Sequence, residues 1–186
     1  MDRGAIVRML VVGGAISTFL GGCSSGQQGD PQPSSSSATT AQDSVLPTGF
    51  DGCTLPQSVI DAEELKNPKK DDGWTTGRNK WLGCGWIQPR GYGATITVST
   101  ITLQQVRTNT DNTIGEELII SDRPAITSYP PAQAGKWCTV NVEMKNGSLE
   151  IAINVQPKPE RSIGRQPCSI AKDLASMLTP TIQPGS

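Results

Sequence analysis

The sequence predicts an α+β fold: a single domain whose antiparallel sheet is packed by an N-terminal and a C-terminal helix and stapled by two disulfides. Three observations carry this expectation. Helical patterns stand at the two ends of the folded stretch instead of alternating with strands, which is the order of an antiparallel α+β sheet. Asn146-Gly147 lies between two runs of alternating apolar residues and is a strong hairpin signal, because both residues accept the positive φ of a type I′ turn. Cys53, Cys84, Cys138 and Cys168 form an even set downstream of a secretory leader, the pattern of a disulfide framework.

The leader comes first in the chain. Arg3 and Arg8 precede a run from Met9 to Leu20 that is apolar apart from Ser17 and Thr18. This run is shorter than the roughly 20 residues that a membrane-spanning helix needs. Positive start, short apolar run and small residues at the end are the parts of a signal peptide. Leu20-Gly21-Gly22-Cys23 has the form of a bacterial lipobox, so cleavage is expected before Cys23, with the diacylglyceryl group and palmitate on that residue. Two acyl chains hold a protein stably where one does not.

Three regions are therefore expected: a lipoprotein signal peptide at 1–22, a lipid-anchored tether at 23–49 and a globular domain at 50–186. The tether is rich in Ser, Thr, Gln, Gly and Pro and holds almost nothing apolar, so it cannot offset the entropy of ordering itself. About 25 such residues average roughly 25–30 Å end to end. The implied location is the extracytoplasmic face of the cell membrane.

Removing Arg3, Arg8 and Asp2 with the leader leaves 14 basic and 16 acidic residues, a net charge near −2. No basic face is implied, which makes nucleic acid a poor partner. Residues 50–186 fit one domain with one moderate core.

Within it, a first helix is expected from Leu55 to Lys66, with Pro56 near its start and Asn67-Pro68 ending it. Trp81 to Ile87 is a short extended piece containing Cys84. From Ala94 to Leu103 the apolar alternation changes phase between Val98 and Ile101, which suggests a bulge or bend. Glu117 to Ile120 and Pro124 to Ser128 are short strands broken at Asp122-Arg123.

Folding the chain about Asn146-Gly147 sets Met144 opposite Leu149, Val142 opposite Ile151, Val140 opposite Ile153 and Cys138 opposite Val155. One face of this hairpin is thus committed to a core. On the other face Glu143 meets Glu150, a like-charge pair that counts against the register. The last helix, Ser169 to Leu178, carries an apolar stripe of Ile170, Ala171, Leu174, Met177 and Leu178. Laid on the apolar face, it brings Cys168 to Cys138. The same plan at the front of the domain pairs Cys53 with Cys84. Each bridge closes a loop of about 30 residues, worth roughly 3–4 kcal/mol on the chain-entropy model.

Lipobox, tether, Gly83-Cys84-Gly85-Trp86, Arg123-Pro124-Ala125, Trp137-Cys138 and Cys168-Ser169-Ile170-Ala171-Lys172 occur in that order. In this ordered set the chain resembles the actinobacterial lipoproteins grouped as domain of unknown function 3558, over about Phe50 to Pro180. The resemblance implies a secreted, lipid-anchored cell-envelope protein. It brings no catalytic residues.

The chain contains no histidine, which removes Ser-His-Asp and Cys-His nucleophiles. With no close Cys-x-x-Cys pair either, no metal site and no cofactor are expected. Ser169-Ile170-Ala171-Lys172 matches the Ser-x-x-Lys of penicillin-interacting enzymes, but stands last where that element stands first. Ser169 is more simply read as a helix cap. Glu63-Glu64, Asp71-Asp72 and Glu116-Glu117 are sequence neighbours and point apart, so they read as solvated charge.

The candidate binding loop is the polar stretch Lys69 to Trp81, with Trp74, Arg78 and Trp81 positioned to stack on a sugar or anchor a partner. The competing reading packs Trp74 and Trp81 onto a core that has only two Phe and two Tyr. Trp86 and Trp137, each near a half-cystine, are expected to pack around the disulfides. The function expected is a non-catalytic module that binds an unidentified envelope ligand or protein. The alternatives are a glycan-acting envelope enzyme or a sensor or accessory subunit of a membrane complex. Facing carboxylates in a cleft would favour the enzyme, a deep apolar cavity lipid carriage, and a flat apolar patch a protein partner.

Overall fold

The structure is a computed structural model that describes residues 45–74, 79–89, 91–155 and 164–186. The leader 1–22, Cys23, the tether up to residue 44 and Arg78 lie outside the described residues. Packing begins at Leu46, which lies against the main core, and Pro47 is buried.

Seven strands form one sheet: β1 (Lys66–Trp74), β2 (Lys80–Gln88), β3 (Tyr92–Ser99), β4 (Thr113–Ile120), β5 (Arg123–Tyr129), β6 (Trp137–Met144) and β7 (Gly147–Val155). Their spatial order is β1-β2-β3-β7-β6-β5-β4, and every neighbouring pair is antiparallel. Two meanders, β1 to β3 and β4 to β7, are thus joined along the β3–β7 ladder. Three helices accompany them: α1 (Gln57–Glu63), α2 (Leu103–Thr108) and α3 (Pro167–Leu178).

Alternation along the strands gives the sheet two distinct faces. Ile96, Val98, Val140, Val142, Leu149, Ile151 and Ile153 point to one of them and are almost wholly buried. Helix α3 packs on β6 and β7 there, burying Ile170, Ala171, Leu174, Ala175 and Leu178. The bridges Cys53–Cys84 and Cys138–Cys168 tie the segment before α1 to β2, and α3 to β6. These are the two pairings that the strand and helix pattern implies.

Several expectations are corrected. The helix expected over Leu55 to Lys66 is reduced to seven residues, because Glu64 takes a left-handed conformation and buried Leu65 closes the turn onto the Ile60 carbonyl. The polar stretch from Lys69 is strand β1 and not a loop. Asn67, with φ of 52°, and Pro68 lie at the register shift between Lys66 and Lys69. Proline and exposed lysines suit an edge strand, since they discourage further pairing.

Of the bulge or bend expected after Val98, the structure has the bend: β3 ends at Ser99 and the chain turns at Thr100. Beyond Ser99 the chain crosses to the other face, where Thr102 and Gln105 form a capping box that opens α2. Finally, the β6–β7 hairpin is registered two residues away from the expectation. Met144 pairs with Gly147, Val142 with Leu149, Val140 with Ile151 and Cys138 with Ile153.

Asn146 alone of this turn's non-glycine residues carries positive φ, at 69°. Gly147 is needed as the first residue of β7 for a different reason: a Cβ there would lie 1.9 Å from the Ser99 carbonyl oxygen. A shift of two preserves which face each side chain occupies, so the core assignment stands. It also removes the like-charge clash, for Glu143 now faces Ser148 and Glu150 faces Asn141. The turn at Ser121-Asp122, with φ of 47° and 65°, joins β4 and β5 in the two-residue form with both φ positive. Ser169 is not the cap of α3: the helix opens earlier, at Pro167, with Gln166 before it.

Candidate functional site

Among the described residues, the second face of the sheet is only half covered. Helix α2 lies on β5 and β6, where Leu103, Val106 and Ile126 form a small apolar cluster of their own. Over β2, β3 and β7 a trough remains.

Its floor can be read row by row from the ladders. Trp81 pairs with Ser99, which pairs with Ser148. The next row runs Asp71, Gly83, Thr97, Glu150, Asn141. Then come Gly85, Thr95, Ala152 and Thr139, and after them Ile87, Gly93, Asn154 and Trp137. The floor is therefore built mainly of glycine, threonine, serine and alanine, with Asp71, Glu150, Asn141, Asn154 and Ile87 set among them and one tryptophan at each end.

A Cβ added at Gly85 or Gly93 would meet no described atom outside its chain neighbours closer than 3.9 Å. These two positions leave space that any larger residue would fill. The recess between Trp81 and Trp137, with Asp71, Thr97 and Glu150, measures about 350 Å³. That is monosaccharide-sized and within the range of small-ligand sites. A second recess of about 390 Å³ continues it past Ile101 and Glu150 toward α2.

The polar groups are held in place. Trp81 Nε1 donates to Asp71 Oδ1 at 2.9 Å, and Trp137 Nε1 donates to Thr139 Oγ1 at 3.1 Å. Asn141 Nδ2 donates to Ser148 Oγ at 3.0 Å and to Glu150 Oε2 at 3.4 Å. Ser148 Oγ donates in turn to the Ile101 carbonyl at 2.7 Å. Glu150 keeps some exposure, but burial pushes its carboxyl above the ordinary value. Asn141 pulls it down, and the negative charge of Asp71 raises it further. Asp71 and Glu150 are thus carboxylates from opposite halves of the sheet that sense each other across one recess.

Trp74 and Trp81, expected in one binding loop, are not brought together. Trp74 is 72% exposed at the end of β1. Trp81 pairs with Gly73, so Trp74 projects from the opposite face. Arg78 lies outside the described residues. Trp81 is half-buried over the trough and packs neither as core nor as a free loop residue.

Trp86 is buried and donates to the Gly52 carbonyl beside Cys53, as the disulfide-packing expectation requires. Trp137 corrects that expectation. It precedes Cys138 in a strand, so the two side chains point to opposite faces, Cys138 into the core and Trp137 into the trough. Trp137, Glu150, Asn141 and Thr95 were missed as site residues. The one signal for them was the Glu143–Glu150 clash in the expected register, which marked that polar face as incorrectly paired.

The remaining sequence motifs resolve into ion pairs. Lys172 of the Ser-x-x-Lys match donates to Glu116 at 2.9 Å, and Arg107 chelates Glu117. Arg165 bridges Glu63 and Asp173, while Tyr92 Oη donates to Glu63 Oε2 at 2.6 Å. Burial, then the Glu63 acceptor, pushes the Tyr92 phenol well above its ordinary value. This cluster clamps α1 and the start of α3 to β3. Among the described residues no group of three or more Cys, Asp or Glu side chains could hold a metal ion. No described helix is long and apolar enough to cross a membrane.

Residues 18–181 match the model of the family described as protein of unknown function DUF3558, so the chain belongs to that family. No curated protein and no solved structure matches it.

Proposed function

We propose, from membership of that family and from the trough, that this is a lipid-anchored envelope protein whose folded domain binds a small polar ligand without transforming it. The leader and Cys23 support export and anchoring. Two disulfides in one domain fit an oxidising compartment. The observation that carries the binding reading is the half-covered second face. A sheet of this size leaves a floor of small residues open between Trp81 and Trp137, with Glu150 enclosed in it.

Indole faces and a floor of hydroxyls and carboxylates suit a compact ligand with an apolar surface and hydrogen-bonding groups. Titrating the mature protein with fractionated envelope extract, with tryptophan fluorescence as readout, tests this. Quenching that disappears in both Trp81→Ala and Trp137→Ala supports the site, and quenching unchanged in both would reject it. Intact mass of the native product tests the anchor, which requires the added mass of a diacylglyceryl group on Cys23.

A second reading rests on the carboxylates alone. Glu150, its carboxyl raised by burial, shares one recess with Asp71, and glycan hydrolysis uses a carboxyl of that kind with a second carboxylate. Product release from envelope glycans that stops in Glu150→Gln would establish that reading over the non-catalytic one.

A further inference from the structure

We propose that the corner formed by Asp71, Trp81, Glu150 and Trp137 takes an organic cation, an ammonium or guanidinium group carried by the ligand. This deepens the binding reading of the same trough and rests on it. Charge complementarity favours a cation. Two carboxylates from β1 and β7 line one recess, and among the described residues no lysine or arginine lines it with them.

The nearby bases are engaged or displaced. Arg107 is committed to Glu117 across α2 and β4. Lys69 stands one row further along, opposite Gly85. From the strands beside Glu150 come Thr97 and Asn141, both neutral, so Asp71 is the charged group that it senses. The carboxylates thus outnumber the cations around the recess, with Lys69 lining only the neighbouring one, and an anion is disfavoured here.

A neutral sugar would leave the enclosed carboxylate without a counter-charge. A cation in this recess is attracted by both carboxylates that line it. Trp81 and Trp137 add to it, because indole is the best side chain for holding a cation over its face. Asp71 fixes the Trp81 ring through Nε1, and Thr139 fixes Trp137 in the same way, so both are set before the ligand arrives. A bare metal ion is a poor alternative. Two carboxylates on separate strands supply too few oxygens for the six to eight that calcium takes.

Linkage supplies a readout that mere hydrophobic capture would not show. A cation favours ionised Glu150, so its affinity rises with pH through the titration of that carboxyl, and binding releases protons. A neutral ligand gains at most a charge-assisted hydrogen bond from the ionised form, and so a much shallower pH dependence.

The probes are choline and its neutral isostere 3,3-dimethylbutan-1-ol, titrated into the mature protein by calorimetry and tryptophan fluorescence. Choline is expected to bind at least about tenfold more tightly than the alcohol, the size of one desolvated cation–π contact. That preference is expected to collapse in Glu150→Gln and Asp71→Asn, and choline affinity to fall on acidification. Equal affinity for the two probes, or a preference unchanged in both variants, overturns the proposal. If neither choline nor methylguanidinium binds while envelope extract still quenches Trp81 and Trp137, the cation assignment falls and the binding reading stands. Loss of both signals removes both.

Discussion

The two faces of this sheet are made from the same strands and differ in almost everything else. On the α3 face, alternate residues are Ile, Val, Leu and Met, most of them with no exposure at all, and two disulfides pin the covering segments down. On the other face the same strands contribute Gly83, Gly85, Thr95, Thr97, Ser99, Ser148, Glu150 and Asn141. One short helix covers part of it. Stability is concentrated on the first face, and this leaves the second free to hold polar groups that do not serve the core. Asn141, Ser148 and Glu150 form a connected chain of hydrogen bonds that ends in an enclosed carboxylate.

The contrast is broken most severely from the core side. Leu174→Ala, in the centre of α3, is expected to lower unfolding free energy by about 2–5 kcal/mol in urea titration. Paired Cys138→Ser and Cys168→Ser substitutions follow, at roughly 3–4 kcal/mol, because a loop of 30 residues is released. If Thr95→Ala on the trough floor matches either loss, the division of labour between the faces is wrong.

The register is sharpened next. Gly147→Ala forces a methyl against the Ser99 carbonyl and is expected to lose about 1–3 kcal/mol, as overpacking does. Asn146→Gly should change little, since it keeps the positive φ. Equal effects at the two positions would return the turn to Asn146-Gly147.

Gly93→Val tests the trough with a smaller expected effect on stability. Its side chain enters open space, so ligand quenching of tryptophan is lost while Tm moves little.

The smallest effect is electrostatic. Glu150 holds its proton more tightly in the fold than in the unfolded chain. Between the ordinary carboxylate value and the raised one the native state binds more protons, so stability contributed by this group falls as pH rises through that window. Glu150→Gln keeps an acceptor for Asn141 and removes the charge. Its Tm should exceed the parent's slightly at neutral pH and converge with it in acid. A lower Tm at neutral pH would mean that the carboxylate is already paired.

Much of the core was legible because strand alternation is local. Val140, Val142, Leu149 and Ile151 share a face under either register, since a slip of two preserves parity. For the same reason Cys138 could be directed inward and paired with Cys168. The helix stripe of Ile170, Ala171, Leu174 and Leu178 was equally plain. Less was legible at the front. Lys66–Trp74 has neither helical nor strand alternation, and it is a strand only because β2 offers it an open edge.

The sequence by itself determined the fold class, the two disulfides and the family, because cysteine placement, apolar period and ordered motifs are properties of short stretches. The tertiary structure alone decided which residues form the trough. Register across β7 depends on the approach of Gly147 to Ser99, and the open half of the second face depends on where α2 lands after Ser99. Asp71 and Glu150 are 79 positions apart in the chain and meet only through the β2 and β3 ladders between them. No local pattern encodes a meeting of that kind, because pairing at long range is settled by the packing of the whole sheet.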